Sequence, residues 1–128
     1  MEHREAPGGV ACYYLKWQSA TDGTFTAALD ECPYLSGRLI MLVTKPSATA
    51  PTDDYDITLV SSMDGHDLLA GRGVNRDTAL TESTLIMQEV TVGANTYADH
   101  PLVNEAKPVL TISGAGDTKI GEIWIYLE

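Results

Sequence analysis

Positive charge is scarce in this sequence. Lys and Arg total 8 against 18 Asp and Glu, a formal net charge of −10 at pH 7. Binding along a nucleic-acid backbone needs clustered Lys and Arg, and an anionic membrane surface makes the same demand. The deficit is uniform: residues 1–64 and residues 65–128 each hold 4 basic and 9 acidic side chains. No basic patch is offset by a separate acidic tail, so neither nucleic acid nor membrane is an expected partner.

Long apolar runs are also missing. No stretch approaches the ~18 residues of a membrane-spanning helix. The opening MEHREAPGG lacks the apolar centre of a signal peptide, so synthesis and retention in a cytoplasm are expected. Two cysteines, Cys12 and Cys32, are too few for a disulfide scaffold and read as small core residues.

Signatures of chemistry are absent in the same way. Gly71-Arg72-Gly73-Val74-Asn75-Arg76 puts Arg where a dinucleotide fingerprint needs its third glycine. The segment Gly114 to Gly121 contains no Gly-Lys-Ser/Thr, so it is not a phosphate loop. Only three histidines occur, His3, His66 and His100, with no Cys-x-x-Cys or His-Glu-x-x-His. There is no Gly-x-Ser-x-Gly elbow. The acids Asp53, Asp54, Asp56, Asp64 and Asp67 surround a turn, but lack the twelve-residue calcium-loop pattern and read as solvated loop carboxylates. No catalytic residue, metal or cofactor is expected.

What is present is a succession of short β signals in a chain of 128 residues, the length of one domain. Residues 10–19, VACYYLKWQS, are rich in aromatic and β-branched side chains. Asp22-Gly23 then predicts a hairpin returning through Thr24 to Leu29. Asp30 to Gly37 reads as a corner. RLIMLVTK, residues 38–45, reads as a strand buried on both faces. Tyr55 to Ser61 alternates apolar and polar, and Asp64-Gly65 marks a second turn, with 66–69 as a short partner strand. Residues 71–84 form a polar middle, 85–92 a strand, and 93–107 a long loop. Val109 to Ser113 and Ile120 to Leu127 flank a Gly-rich tip and read as a closing hairpin. Apolar side chains on both faces of the last strand suggest a central or interface position.

Seven to eight short strands with Gly, Pro and Asp punctuation predict an all-β fold, a single antiparallel β-sandwich of jelly-roll or immunoglobulin-like type. Residues 1–9 read as a flexible N-terminal arm and residues 10–128 as the sandwich domain. Interaction candidates follow from residue type. Arg72, Arg76 and Asp77 lie in the polar middle, where Arg offers a planar fork for bidentate contacts. Tyr97 and His100 lie in the long loop. Trp124 and Tyr126, with Tyr14 and Tyr34, are the exposed-aromatic candidates.

The order of motifs resembles a known group. Asp22-Gly23-Thr24-Phe25-Thr26 is followed by Pro33-Tyr34-Leu35-Ser36-Gly37-Arg38-Leu39 and Tyr55-Asp56-Ile57-Thr58-Leu59. The chain ends on Val109-Leu110-Thr111-Ile112-Ser113 and Gly121-Glu122-Ile123-Trp124-Ile125-Tyr126-Leu127. From about residue 20 to 127 this resembles small β-sandwich structural proteins of tailed-bacteriophage virions. The resemblance implies a non-enzymatic virion part, foremost a capsid decoration (cement) protein that binds and stabilises the outer shell. It implies the major capsid protein or another virion protein as partner, a homo-oligomer (dimer or trimer), and localisation to the virion. A neck or tail accessory protein is the alternative within that group. A carbohydrate- or receptor-binding sandwich with Trp124 and Tyr97 as its platform is the alternative outside it. The contacts are expected on the 71–84 loop, the 93–107 loop and the N-terminal arm, which exceed the usual ~4–6-residue connection.

Overall fold

Period-two alternation sets the architecture, because a strand with one apolar face must bury it against a second layer. A computed structural model describes residues 2–6, 9–28, 35–105 and 107–128. Its strands are β1 (Glu2–Ala6), β2 (Val10–Gln18), β3 (Phe25–Ala28), β4 (Leu35–Pro46), β5 (Asp56–Val60), β6 (Glu82–Leu85), β7 (Gln88–Val92), β8 (Asn95–Asp99), β9 (Leu102–Glu105), β10 (Val109–Ser113) and β11 (Ile120–Leu127). No helix occurs among the described residues. The larger sheet runs β1-β2-β11-β4-β6, with β9 pairing the start of β4; the second runs β3-β10-β5. The strands β7 and β8 pair only with each other. All pairings are antiparallel. The all-β antiparallel sandwich expected from the sequence is thus what the chain forms, with more strands than the seven or eight counted there.

The core lies between the two large sheets. From one side come Tyr13, Trp17, Leu39, Leu42, Ile123, Ile125 and Leu127, and from the other Tyr55, Ile57, Leu59, Leu110 and Ile112. Trp17 sits at the junction, its ring centroid 5.7 Å from that of Tyr55 and 6.4 Å from that of Phe25. Gly121 faces Trp17 in the β2–β11 register. A Cβ at Gly121 would lie 2.6 Å from the indole, so the absence of a side chain makes room for the ring.

Two expected hairpins are corrected. The Asp22-Gly23 turn forms, with the Ala20 N–H donating to Thr24 O at 2.8 Å and the Asp22 carboxylate accepting from the Thr24 N–H at 3.0 Å. It joins β2 in one sheet to β3 in the other, so the strands do not pair. The Gly-rich tip 114–119 likewise carries the chain from β10 across to β11. The reason is mutual support. The Ala115 N–H donates to Gly23 O at 3.1 Å, the Ser19 hydroxyl donates to Gly116 O at 2.6 Å, and the Lys119 N–H donates to Ser19 Oγ at 2.8 Å. Each arch satisfies the other's backbone groups, which frees the flanking strands to face each other across the core.

Other expectations shift by smaller amounts. Glu2–Ala6, read as part of an arm, pairs with β2 through five residue pairs. It extends the larger sheet beyond β2. The turn at Asp64-Gly65 is present, but its return segment makes only an isolated bridge, Val60 to Asp67. The 85–92 run splits where Ile86 is fully buried between β6 and β7. The 93–107 loop contains β8 and β9. Tyr34 and Cys32 lie outside the described residues.

Gly121→Ala is expected to lower stability by about 1–3 kcal/mol through crowding against Trp17. Urea melts of Gly121→Ala with and without Trp17→Leu check this: the glycine substitution should cost less once the indole is gone.

Candidate interaction surfaces

The seven candidates separate into three environments. The first is internal. Arg76 is 2% exposed, which corrects its reading as a surface contact. Its Nε and Nη2 donate to Thr44 Oγ1 at 3.1 and 2.9 Å, and its Nη1 donates to Thr84 Oγ1 at 2.8 Å. Longer bonds reach Arg72 O and Glu82 O, both at 3.4 Å, and the Glu82 carboxylate lies 3.7 Å away. The Arg76 backbone joins Tyr55 and Asp54 through bonds of 2.8 and 3.1 Å. The guanidinium therefore ties the 71–84 segment to β4 and β6. Burial pushes the neighbouring Tyr55 phenol up in pKa, against the opposing pull of the Thr44 hydroxyl and Arg76.

Asp77 caps a turn. Its carboxylate accepts from the Ala79 and Leu80 N–H groups at 2.6 and 2.7 Å, and these bonds hold its pKa below the usual carboxylate value. The acids near the second turn act alike. Asp56 accepts from Asn75 N–H at 2.9 Å, and Asp53 from Thr78 N–H at 3.3 Å. Asp67 accepts from the Leu59, Leu69 and Gly71 N–H groups at 3.0–3.1 Å. Asp64 pairs with the His66 ring and accepts from the His66 N–H, which lowers its pKa. These carboxylates organise backbone. Among the described residues no group of three or more His, Cys, Asp or Glu is placed to hold a metal.

The second environment is the β7–β8 hairpin, with Arg72 on one side of its base and Tyr97 and His100 on the other. All ten of its strand residues are exposed. Val90 opposes Tyr97 in register, and these two, with Val92, form an apolar stripe on one face, 53%, 60% and 62% exposed respectively. Arg72 pairs with Glu89 at 3.5 Å on one side of the hairpin base, and Arg38 with Asp99 at 3.2 Å on the other. His100 anchors the exit through its ring Nδ1, 2.7 Å from Ile86 O. Two open clefts of about 580 and 600 Å³ flank this base. The first is walled by His66, Asp67, Arg72 and Glu89, the second by Arg38, Val90, Tyr97, His100 and Leu102. Val90, Val92 and Leu102 were not expected from sequence. For the two valines the signal was present in the alternation Gln88-Glu89-Val90-Thr91-Val92 before Gly93, which has φ +64° and forms the turn.

The third environment is the outer face of the larger sheet, which carries Trp124 and Tyr126. Both are half-buried. The Tyr14 and Trp124 rings lie 5.2 Å apart, and the Tyr14 hydroxyl donates to Glu122 Oε2 at 3.0 Å. Partial burial and the adjacent Cys12 thiol raise the Tyr126 pKa. Compared with protein-family models, with curated proteins and with solved structures, the chain gives no match.

Two outcomes follow. Arg76→Ala removes a buried donor set and should cost about 3 kcal/mol in a urea melt, with Arg76→Met costing less because it fills the same space. Asp77 has a folded-state pKa below its unfolded value, so its stabilisation is present above the unfolded pKa of about 3.9 and is lost as pH falls through the folded value. The gap in urea midpoint between the wild type and Asp77→Ala should therefore be open at neutral pH and close in acid.

Proposed function

We propose that this protein is a non-enzymatic structural component of a bacteriophage particle, foremost a capsid decoration protein that docks on the outer shell and stabilises it. The observation that carries the reading is the β7–β8 hairpin. Soluble proteins guard exposed strand edges with Lys, Pro or bulges. Residues 88–99, QEVTVGANTYAD, contain no Lys, Arg or Pro, and their apolar stripe faces solvent. A partner that covers the stripe removes apolar area from water and can add strand pairing to its edge. The ion pairs at the hairpin base leave that base locally neutral, so docking there meets little like-charge repulsion.

The rest of the molecule suits the role. The sandwich is a rigid platform whose acids cap turns. Its negative field would orient it toward a basic shell exterior, aiding encounter more than affinity. Binding to the assembled shell alone would stabilise the shell by mass action, and many copies on one symmetric shell gain avidity. A neck or tail accessory role uses the same contacts. The carbohydrate platform is less well supported, because Trp124 lies on the larger sheet while Tyr97 lies on the separate hairpin.

The test uses shells assembled without the protein. Added wild type should bind them and raise their melting temperature. A Val90→Ser, Val92→Ser, Tyr97→Ser variant with unchanged circular dichroism should bind at least about 100-fold more weakly, since removing a hot-spot cluster costs several kcal/mol. No binding by the wild type, or equal binding by the variant, overturns the proposal.

A further inference from the structure

An antiparallel sheet with one face in water normally alternates apolar-in and polar-out. The centre of the larger sheet departs from this on its outer face. There the registers place Tyr14, Trp124 and Val43 in one cross-strand row, and Cys12, Tyr126 and Met41 in the next. The row on the other side of Trp124 is polar and of mixed sign: Lys16, Glu122 and Lys45. At the margin β1 brings Glu2 and Arg4 to the register positions opposite Tyr14 and Cys12. No described strand packs over this face, since the smaller sheet lies on the opposite side.

The aromatic and polar rows are tied together. The Tyr14 ring lies 5.2 Å from that of Trp124 at 47°, and its hydroxyl donates to Glu122 Oε2 at 3.0 Å. Trp124 is half-buried and so held in place, with its outer side in water. Lys16 and Lys45 are exposed, and neither ammonium forms an ion pair among the described residues. Neighbouring strands are ~4.8 Å apart and successive rows ~7 Å apart. An aromatic surface, an ordered carboxylate and two ammonium groups therefore share one small patch. Three strands and three rows cover roughly 300 Å², and adding β1 and β6 raises this only to about 500 Å². A macromolecular partner occupies about 800 Å² on each side, so the patch has the size of a small-ligand site.

We infer that this face is a binding site for a neutral oligosaccharide. The polar row selects the charge of the ligand. An anion would meet Lys16 and Lys45 but also Glu122 between them, and a cation would meet Glu122 between two lysines. A sugar hydroxyl both donates and accepts, as any hydroxyl does, so it uses the carboxylate and the ammonium groups together. The C–H face of a sugar ring stacks on Trp124 and Tyr14, which offer apolar surface with polar tips. Its hydroxyls donate to Glu122 and accept from Lys16 and Lys45. Because the Tyr14 hydroxyl already orders Glu122, little freedom is lost on binding. This platform is complete on one sheet and makes no use of Tyr97. The hairpin takes no part in it, so the inference stands apart from the proposed function.

Titration of the full chain with neutral trisaccharides of glucose, galactose, mannose and N-acetylglucosamine, with trigalacturonate as the acidic control, tests it. At least one neutral probe should bind with a Kd near or below about 1 mM. Its binding should change the tryptophan emission, and the change reports Trp124 because Trp17, the other tryptophan, is 2% exposed. By calorimetry, Trp124→Ala and Glu122→Ala should each weaken binding at least about 10-fold with the circular dichroism unchanged. If one variant fails to fold, the other decides. The Val90→Ser, Val92→Ser, Tyr97→Ser variant should bind the sugar as the wild type does. Binding of no neutral probe overturns the inference, as does binding of the acidic control alone. So does a folded face variant that binds like the wild type, or sugar binding lost only in the hairpin variant. Trp124→Ala should leave shell binding unchanged; its loss would assign the face to a protein partner and overturn the sugar site. A wild type that binds sugar but no shell overturns the docking reading alone.

Discussion

The buried guanidinium of Arg76 is the constraint on which the polar middle of the fold depends. A cation at 2% exposure is tolerable only when nearly every donor is satisfied. Here the two threonine hydroxyls, two carbonyls and the Glu82 carboxylate come from β4, β6 and the segment between them. Its backbone bonds to Tyr55 and Asp54 add the approach to β5, in the other sheet. One side chain thus helps to position residues 71–81, which lie in no named strand. The Arg72–Glu89 pair continues from that segment to the hairpin base.

Threonine at position 44 is the clearest trace of this constraint. It stands at a core-facing position of β4, where its neighbours on the same face are leucines. A polar side chain there would be a defect without Arg76 and is an acceptor with it. The same economy governs the acids. Asp22, Asp64 and Asp77 are all held below the ordinary carboxylate pKa by local N–H or side-chain donors. Much of the negative charge is therefore committed to shaping turns, and at the hairpin base the remaining acids Glu89 and Asp99 are paired with Arg72 and Arg38.

Alternation made the strands legible, and residue type did not make their partners legible. Tyr55 to Val60 and Ile120 to Leu127 show their burial pattern directly in the sequence. Asp-Gly and Gly-rich segments mark turns correctly, but a local turn signal does not say whether the chain returns beside itself or crosses to the second sheet. That choice rests on long-range bonds such as Ser19 to Gly116 and Ala115 to Gly23, which no local window contains. For the interaction candidates, Tyr97 and Trp124 were identified because exposed aromatics are uncommon. Arg76 looked like a surface group because polarity is a guide to exposure only when no buried acceptor set exists, whereas Asp77 does lie near the surface, where its carboxylate caps a turn. The apolar character of both faces of β11 was visible in Ile123, Trp124, Ile125 and Tyr126.

The hairpin is the least self-sufficient part of the fold, and that bears on its role. A two-stranded ribbon alone is marginally stable in water. Its strand residues contribute nothing to the buried core. The ion pairs that hold its base are largely exposed, and pairs of that kind are worth about 0–1 kcal/mol. Its local stability therefore falls at the low end of the range found within one protein. A segment so lightly held can adjust its twist, and on the proposed docking role burial of the apolar stripe would offset the ordering. The sandwich fixes where the hairpin starts, and on the proposed docking role the partner would complete how it ends.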